Sequence, residues 1–252
     1  MKSFESKVKL VNFSLKILLQ AGNDYQHAEL AFCVGQISTA GILAISSLIK
    51  SSRKVSSVIA LDSINKANSF QLLKDLGADV YLYPTLPESL FLSKLYYGTV
   101  DTMAWAMVGA ANLTSQSLVA NTECGLFLTG QRYLEPFVSI ESEIEIYRDQ
   151  SYPFNKELHG LLKNIEKSLT PDKGVLDYYT KLRDAGIIRK NNTALAISKE
   201  TQQQAISDFF NFIKITRLEY CYQMLLLLVM LFRCDESQQP SAPVPFRVKA
   251  DG

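Results

Sequence analysis

Histidine is almost absent from this chain, with only His27 and His159 in 252 residues. The four cysteines, Cys33, Cys124, Cys221 and Cys234, stand far apart and form no C-x-x-C pair. A Cys/His zinc site is therefore not expected, and scattered thiols fit a reducing, cytoplasmic setting. Excess charge is missing too: 26 basic against 25 acidic residues leave a formal net charge of +1. No global field draws a polyanion, so any anion site must be a local arrangement of donors. A neutral protein with no polyanionic partner fits that number equally well. The N-terminal residues, Met-Lys-Ser-Phe-Glu-Ser-Lys, lack the apolar core of a secretory leader. The longest apolar run, residues 224–232, is short of the roughly 20 residues a bilayer crossing needs. A buried helix is expected there in place of a membrane span. There is no internal repeat.

What the chain does have is enough length and apolar content for a real core: 47% hydrophobic and 20% charged residues. Residues 5–20 form an opening element whose type the periodicity leaves ambiguous. Residues 28–34 read as a buried strand, and residues 39–49 carry an apolar stripe at helical spacing. A β-branched strand follows at 55–61, then a helix at 66–76 stopped by Gly77, then a strand at 78–83 closed by Pro84. Strands alternating with short helices indicate β-α-β units and an α/β sheet. The next strand is expected to carry Leu92, Lys94 and Tyr96 on one face. Strands at 105–108 and 123–128 follow, with a helix or turn from Asn112, where Asn112 or Thr114 serves as cap.

Past residue 133 the pattern turns helical. Residues 134–168 are expected to be interrupted near Pro153, and a further helix to run from about 170 to 182. The stretch beyond it is similar to a winged helix, against the plainer reading of a helical cap packed on the sheet. The expected organisation is an α/β domain over 1–133, a mainly helical region over 134–235 and a flexible tail over 236–252.

One set of residues carries chemistry. Lys94 is followed fifteen positions on by Gly109, then Ala110, Ala111 and Asn112, and Glu123 stands eleven beyond Asn112. A lysine supplies a compact cation and an asparagine amide a directed donor. Glycine would let backbone approach closely. This order and spacing resembles the active-site signature of the phospholipase D superfamily: His-x-Lys, then Gly-x-x-Asn, then an acidic residue. The resemblance covers residues 25–130 and is nearest to the single-motif nuclease and restriction-endonuclease branch. It implies a phospholipase D-like mixed or parallel sheet flanked by helices.

The resemblance further implies a histidine nucleophile forming a phosphohistidine, and a second histidine from a second motif copy as acid. Lys94, Gly109 and Asn112 would hold phosphate, Glu123 would orient a histidine, and no metal or other cofactor is called for. In this chain, however, the nucleophile position holds Leu92, which can neither attack phosphorus nor shuttle a proton. Ala110 also replaces the family's serine. Because only one motif is present, a complete site implies a homodimer.

Three functions are therefore in play. The first is a phosphodiester-binding protein, with DNA as the favoured ligand, impaired in catalysis. The second is an active metal-independent endonuclease or phosphodiesterase whose histidine comes from a partner chain, a local distortion or His27. The third is an interaction module with a relic anion site. Lys50, Arg53 and Lys54 offer a small basic patch, for which a solvated helix end is the plainer account.

Overall fold

A computed structural model of the chain describes residues 6–25, 28–86, 90–169 and 174–188. Within them the expected α/β architecture is present, as an eight-stranded mixed sheet in the order β1-β7-β6-β5-β2-β3-β4-β8. The strands are β1 (Lys7–Phe13), β2 (Glu29–Val34), β3 (Lys54–Leu61), β4 (Asp79–Pro84), β5 (Lys94–Val100), β6 (Met103–Gly109), β7 (Glu123–Gln131) and β8 (Tyr152–Pro153). Only β2, β3 and β4 pair in parallel; every other neighbour is antiparallel. The parallel trio is the part that the alternating strands and helices foretold, since parallel strands need a crossover.

The helices are α1 (Leu15–Asp24), α2 (Thr39–Ala44), α3 (Ser46–Ser51), α4 (Ala67–Asp75), α5 (Glu135–Asp149), α6 (Lys156–Ser168) and α7 (Gly174–Asp184). Strand alternation splits the core in two. On one face Phe13, Phe32, Tyr96, Trp105 and Met107 pack under the apolar sides of α1–α4, α6 and α7. On the other, Cys33, Val58, Leu95, Tyr97 and Ala106 meet Phe137 and Ile144 of α5.

The structure refines several expectations. The ambiguous opening segment is a strand and then a helix, divided at Ser14, whose extended backbone precedes α1. The helix at 39–49 is two short helices broken at Ile45. The helix expected from Asn112 is a single π-helical turn, Gln116–Ala120, whose approach Thr114 steadies by accepting from the Ser117 N–H. The strand expected to carry Leu92 begins only at Lys94. Leu92 precedes it in irregular chain and is 68% exposed. Calls on residues 189–252, including the winged-helix likeness, the apolar run 224–232 and the tail, lie outside the described residues.

Gly98 shows how tightly the strands carrying the site are packed. A Cβ there would stand 2.4 Å from the indole of Trp105, its cross-strand partner, which is wholly buried. The Gly98→Ala variant should lose about 1–3 kcal/mol by overpacking, read as a lower midpoint in urea unfolding. An unchanged midpoint would mean that the indole has room to shift.

Candidate anion-binding site

Because β2, β3 and β6 run one way and β5 and β7 the other, one end of the sheet gathers distant segments. The chain leaving β2 (residues 35–38), the chain entering β5 (91–93) and the chain leaving β6 (110–114) meet there. Backbone hydrogen bonds knit them: Gly35 N–H to Ser93 O, Leu113 N–H to Gln36 O, and Ser38 N–H to Leu113 O. Gly41 of α2 lies against the same turn, and a Cβ on it would be 2.3 Å from the Leu113 carbonyl oxygen.

Between these segments lies a cavity of about 70 Å³, lined by Gly35, Gln36, Asp62, Ile64, Leu90, Phe91, Leu92, Lys94 and Asn112. Lys94 and Asn112, singled out from sequence, are thus brought together, with Leu92 beside them. The orientation of Asn112 follows from its partner. The Gln36 N–H is a donor, so Asn112 Oδ1 accepts from it at 3.1 Å. The Asn112 amide nitrogen makes no hydrogen bond among the described residues and remains a donor. Lys94, partly buried at the start of β5, enters no ion pair among the described residues. A cation and an amide donor in one recess can hold two oxygens of a tetrahedral anion.

Sequence reasoning missed a second group of lining residues, the turn that follows β3. Asp62, 8% exposed, accepts through Oδ1 from the N–H groups of Ile64 and Asn65, both at 2.9 Å. Burial nonetheless raises its pKa above the usual carboxylate value, against those two hydrogen bonds and the charge of Lys66. Asn65, 2% exposed, fastens the turn to the chain leaving β2. Its amide donates to Gly35 O and Ala60 O, and its Oδ1 accepts from Ile37 N–H. The signal was an Asp followed by Asn directly after a strand, an Asx-turn pattern.

The other motif residues lie nearby without lining the cavity. Glu123 opens β7 at the same end of the sheet, accepting from Asn121 Nδ2 at 3.0 Å while its own N–H donates to Asn12 Oδ1. Gly109 answers to strand packing: a Cβ would stand 2.7 Å from Gly125 Cα across the β6–β7 pair. The opposite end of the sheet is where β5 closes, at Val100. Arg53 and Lys54 sit at that far end, where β3 begins, and Arg53 is engaged by Glu29.

No imidazole reaches the cavity among the described residues. His159 belongs to α6, its ring edge-on to Phe154 at 5.7 Å, and His27 lies outside the described residues. Cys33 in neighbouring β2 offers no thiolate, since burial pushes its pKa up to about 12. The described residues also hold no cluster of His, Cys, Asp and Glu suited to a metal. None of their helices is long and apolar enough to cross a membrane.

No protein-family model matches the sequence, and no curated protein matches it either. Solved structures do show likeness. Nuc from Salmonella typhimurium, a phospholipase D family member, aligns with 60% of this chain and 100% of its own at 14% identity, TM-score 0.47. NucT from Helicobacter pylori aligns with 60% of this chain and 100% of its own at 16% identity, TM-score 0.46. Phosphatidylserine synthase from Haemophilus influenzae Rd KW20 aligns with 72% of this chain and 48% of its own at 13% identity, TM-score 0.44.

Proposed function

We propose that this protein binds phosphodiesters, with DNA the favoured ligand, and that it does so without the histidine chemistry of the family it resembles. The observation carrying this reading is the shared cavity of Lys94 and Asn112, eighteen positions apart in sequence, with exposed Leu92 at the nucleophile's place. Lys94 supplies a compact charge, and Asn112, pinned through Oδ1 to Gln36, keeps its amide for an oxygen of the ligand. Leu92 contributes an aliphatic wall where a phosphohistidine would have to form. A homodimer, placing two such half-sites on one ligand, accompanies the reading.

The test is binding of bis(p-nitrophenyl) phosphate and of a short DNA duplex to the full chain, in EDTA. Lys94→Ala should weaken the diester about 10- to 100-fold, the worth of one charge-assisted hydrogen bond. DNA affinity should fall with added salt. Equal affinity of the variant and the unmodified chain would remove Lys94 from the site and end this reading. Diester hydrolysis by the unmodified chain, abolished in Lys94→Ala, would instead establish an enzyme with its nucleophile elsewhere.

A further inference from the structure

Lys94 and Asp62 are the two titratable residues that line the cavity, and they carry opposite charge. The carboxyl of Asp62 is held from one side only. Oδ1 takes two backbone N–H groups, whereas Oδ2 has no hydrogen-bond partner among the described residues. Other charged and titratable groups surround it: Lys66 beyond its own turn, Lys94 on β5, and Tyr178 on α7. The Tyr178 hydroxyl is itself pushed up by burial and by the charges of Asp62 and Glu166. Lys66 is turned to Ser63 O, and no ion pair neutralises Asp62 among the described residues.

We infer that Asp62 sets the charge selectivity of this site, admitting phosphodiester monoanions and rejecting phosphomonoester dianions. The inference rests on the reading of the cavity as an anion site and adds to it which phosphates are taken. The physics is a difference between two charges at short range in a partly desolvated recess. A diester brings one negative charge, which Lys94 balances. A monoester above its second ionisation, at about pH 6, brings close to two, and the excess faces the Asp62 carboxylate. Ile64, Leu90 and Leu92, each more than half exposed, add aliphatic wall beside the phosphate where a second ester arm rests.

A pH signature follows. The diester keeps a single charge across the working range, so any change in its affinity belongs to the protein. Asp62 is neutral below its raised pKa and anionic above it. Diester affinity should therefore fall with rising pH as the carboxyl ionises, with no matching step once Asp62 is replaced.

Dimethyl phosphate and methyl phosphate are the probes, followed by ligand-observed NMR with the full chain at mildly alkaline pH. The unmodified protein should prefer the diester by about tenfold. Asp62→Asn, which retains the Oδ1 acceptor for Ile64 and Asn65, should bring that ratio close to one while strengthening both ligands. Asp62→Ser, checked by thermal unfolding, separates loss of charge from loss of the turn. A ratio in Asp62→Asn equal to that of the unmodified chain would overturn the inference and leave the anion site standing. Failure of both ligands to bind the unmodified chain would overturn the anion site and the inference with it.

Discussion

Asn65→Ala should destabilise the protein by about 3–5 kcal/mol, the size of loss that breaking a buried hydrogen-bond network brings. Asn65 is 2% exposed, and all three of its side-chain hydrogen bonds go to backbone atoms, at 2.8–2.9 Å. Alanine would leave the Ile37 N–H and the Gly35 and Ala60 carbonyls without that partner, in a place that water reaches poorly. The damage should spread along the chain, because the adjoining Gln36 N–H orients Asn112. Urea unfolding gives the energy, and diester binding by the surviving folded fraction gives the effect on the site. Asn65→Asp, which keeps the acceptor and loses the donor, should fall between the alanine variant and the unmodified chain. A loss under about 1 kcal/mol for the alanine variant would show that the two loops hold their places without it.

Leu92→His should create a diesterase. Leucine is 68% exposed here and outside any strand, so the exchange costs little stability, within about 0.5 kcal/mol. It sets an imidazole on the wall of the cavity that already holds Lys94 and Asn112. With bis(p-nitrophenyl) phosphate, an imidazole nitrogen forms a bond to phosphorus while p-nitrophenolate departs with the electron pair of the P–O bond. That anion is stable enough to leave without an acid, so the absence of a second histidine is not limiting. Water then cleaves the P–N bond, releasing p-nitrophenyl phosphate and restoring the imidazole. The rate should exceed the unmodified chain's by about 10²-fold or more in EDTA, the scale of one well-placed catalytic group. Adding Lys94→Ala to this variant should remove the gain. Retained diester binding with no hydrolysis would mean that the recess no longer presents phosphorus to position 92.

Much of the architecture is legible in the sequence because buried strands and amphipathic helices write their own periods. Residues 28–34, 55–61 and 78–83 show as β-branched or apolar runs bounded by turns, and α4 ends where Gly77 takes a φ of +98°. The motif spacing also brought Lys94 and Asn112 to notice, and the fold joins them. Other features depend on partners far away in sequence. β1 is specified by pairing with β7, more than a hundred residues on, and its apolar positions 8, 10, 11 and 13 break strict alternation, so that they fit a helix start as well. Leu-x-Lys-x-Tyr alternates as a strand does, although Leu92 precedes β5. The paired ladder starts only at Lys94, opposite Val34, while Phe91 turns its ring onto Tyr83 at 4.5 Å. Asp62 escaped notice because its role arises only when the turn after β3 meets the segments leaving β2 and entering β5.

The two outermost strands bear on a different property, how the molecule behaves at high concentration. Among the described residues β1 and β8 border the sheet, and an uncovered border is a template on which another chain can add. At one end, β8 is only two residues long, and its exposed Pro153 has no N–H to offer an incoming strand. At the other, β1 presents exposed Lys7 and Lys9, and a second copy aligned edge to edge would set like charges against each other. Among the described residues, the brevity of one border and the charge of the other both discourage an incoming strand.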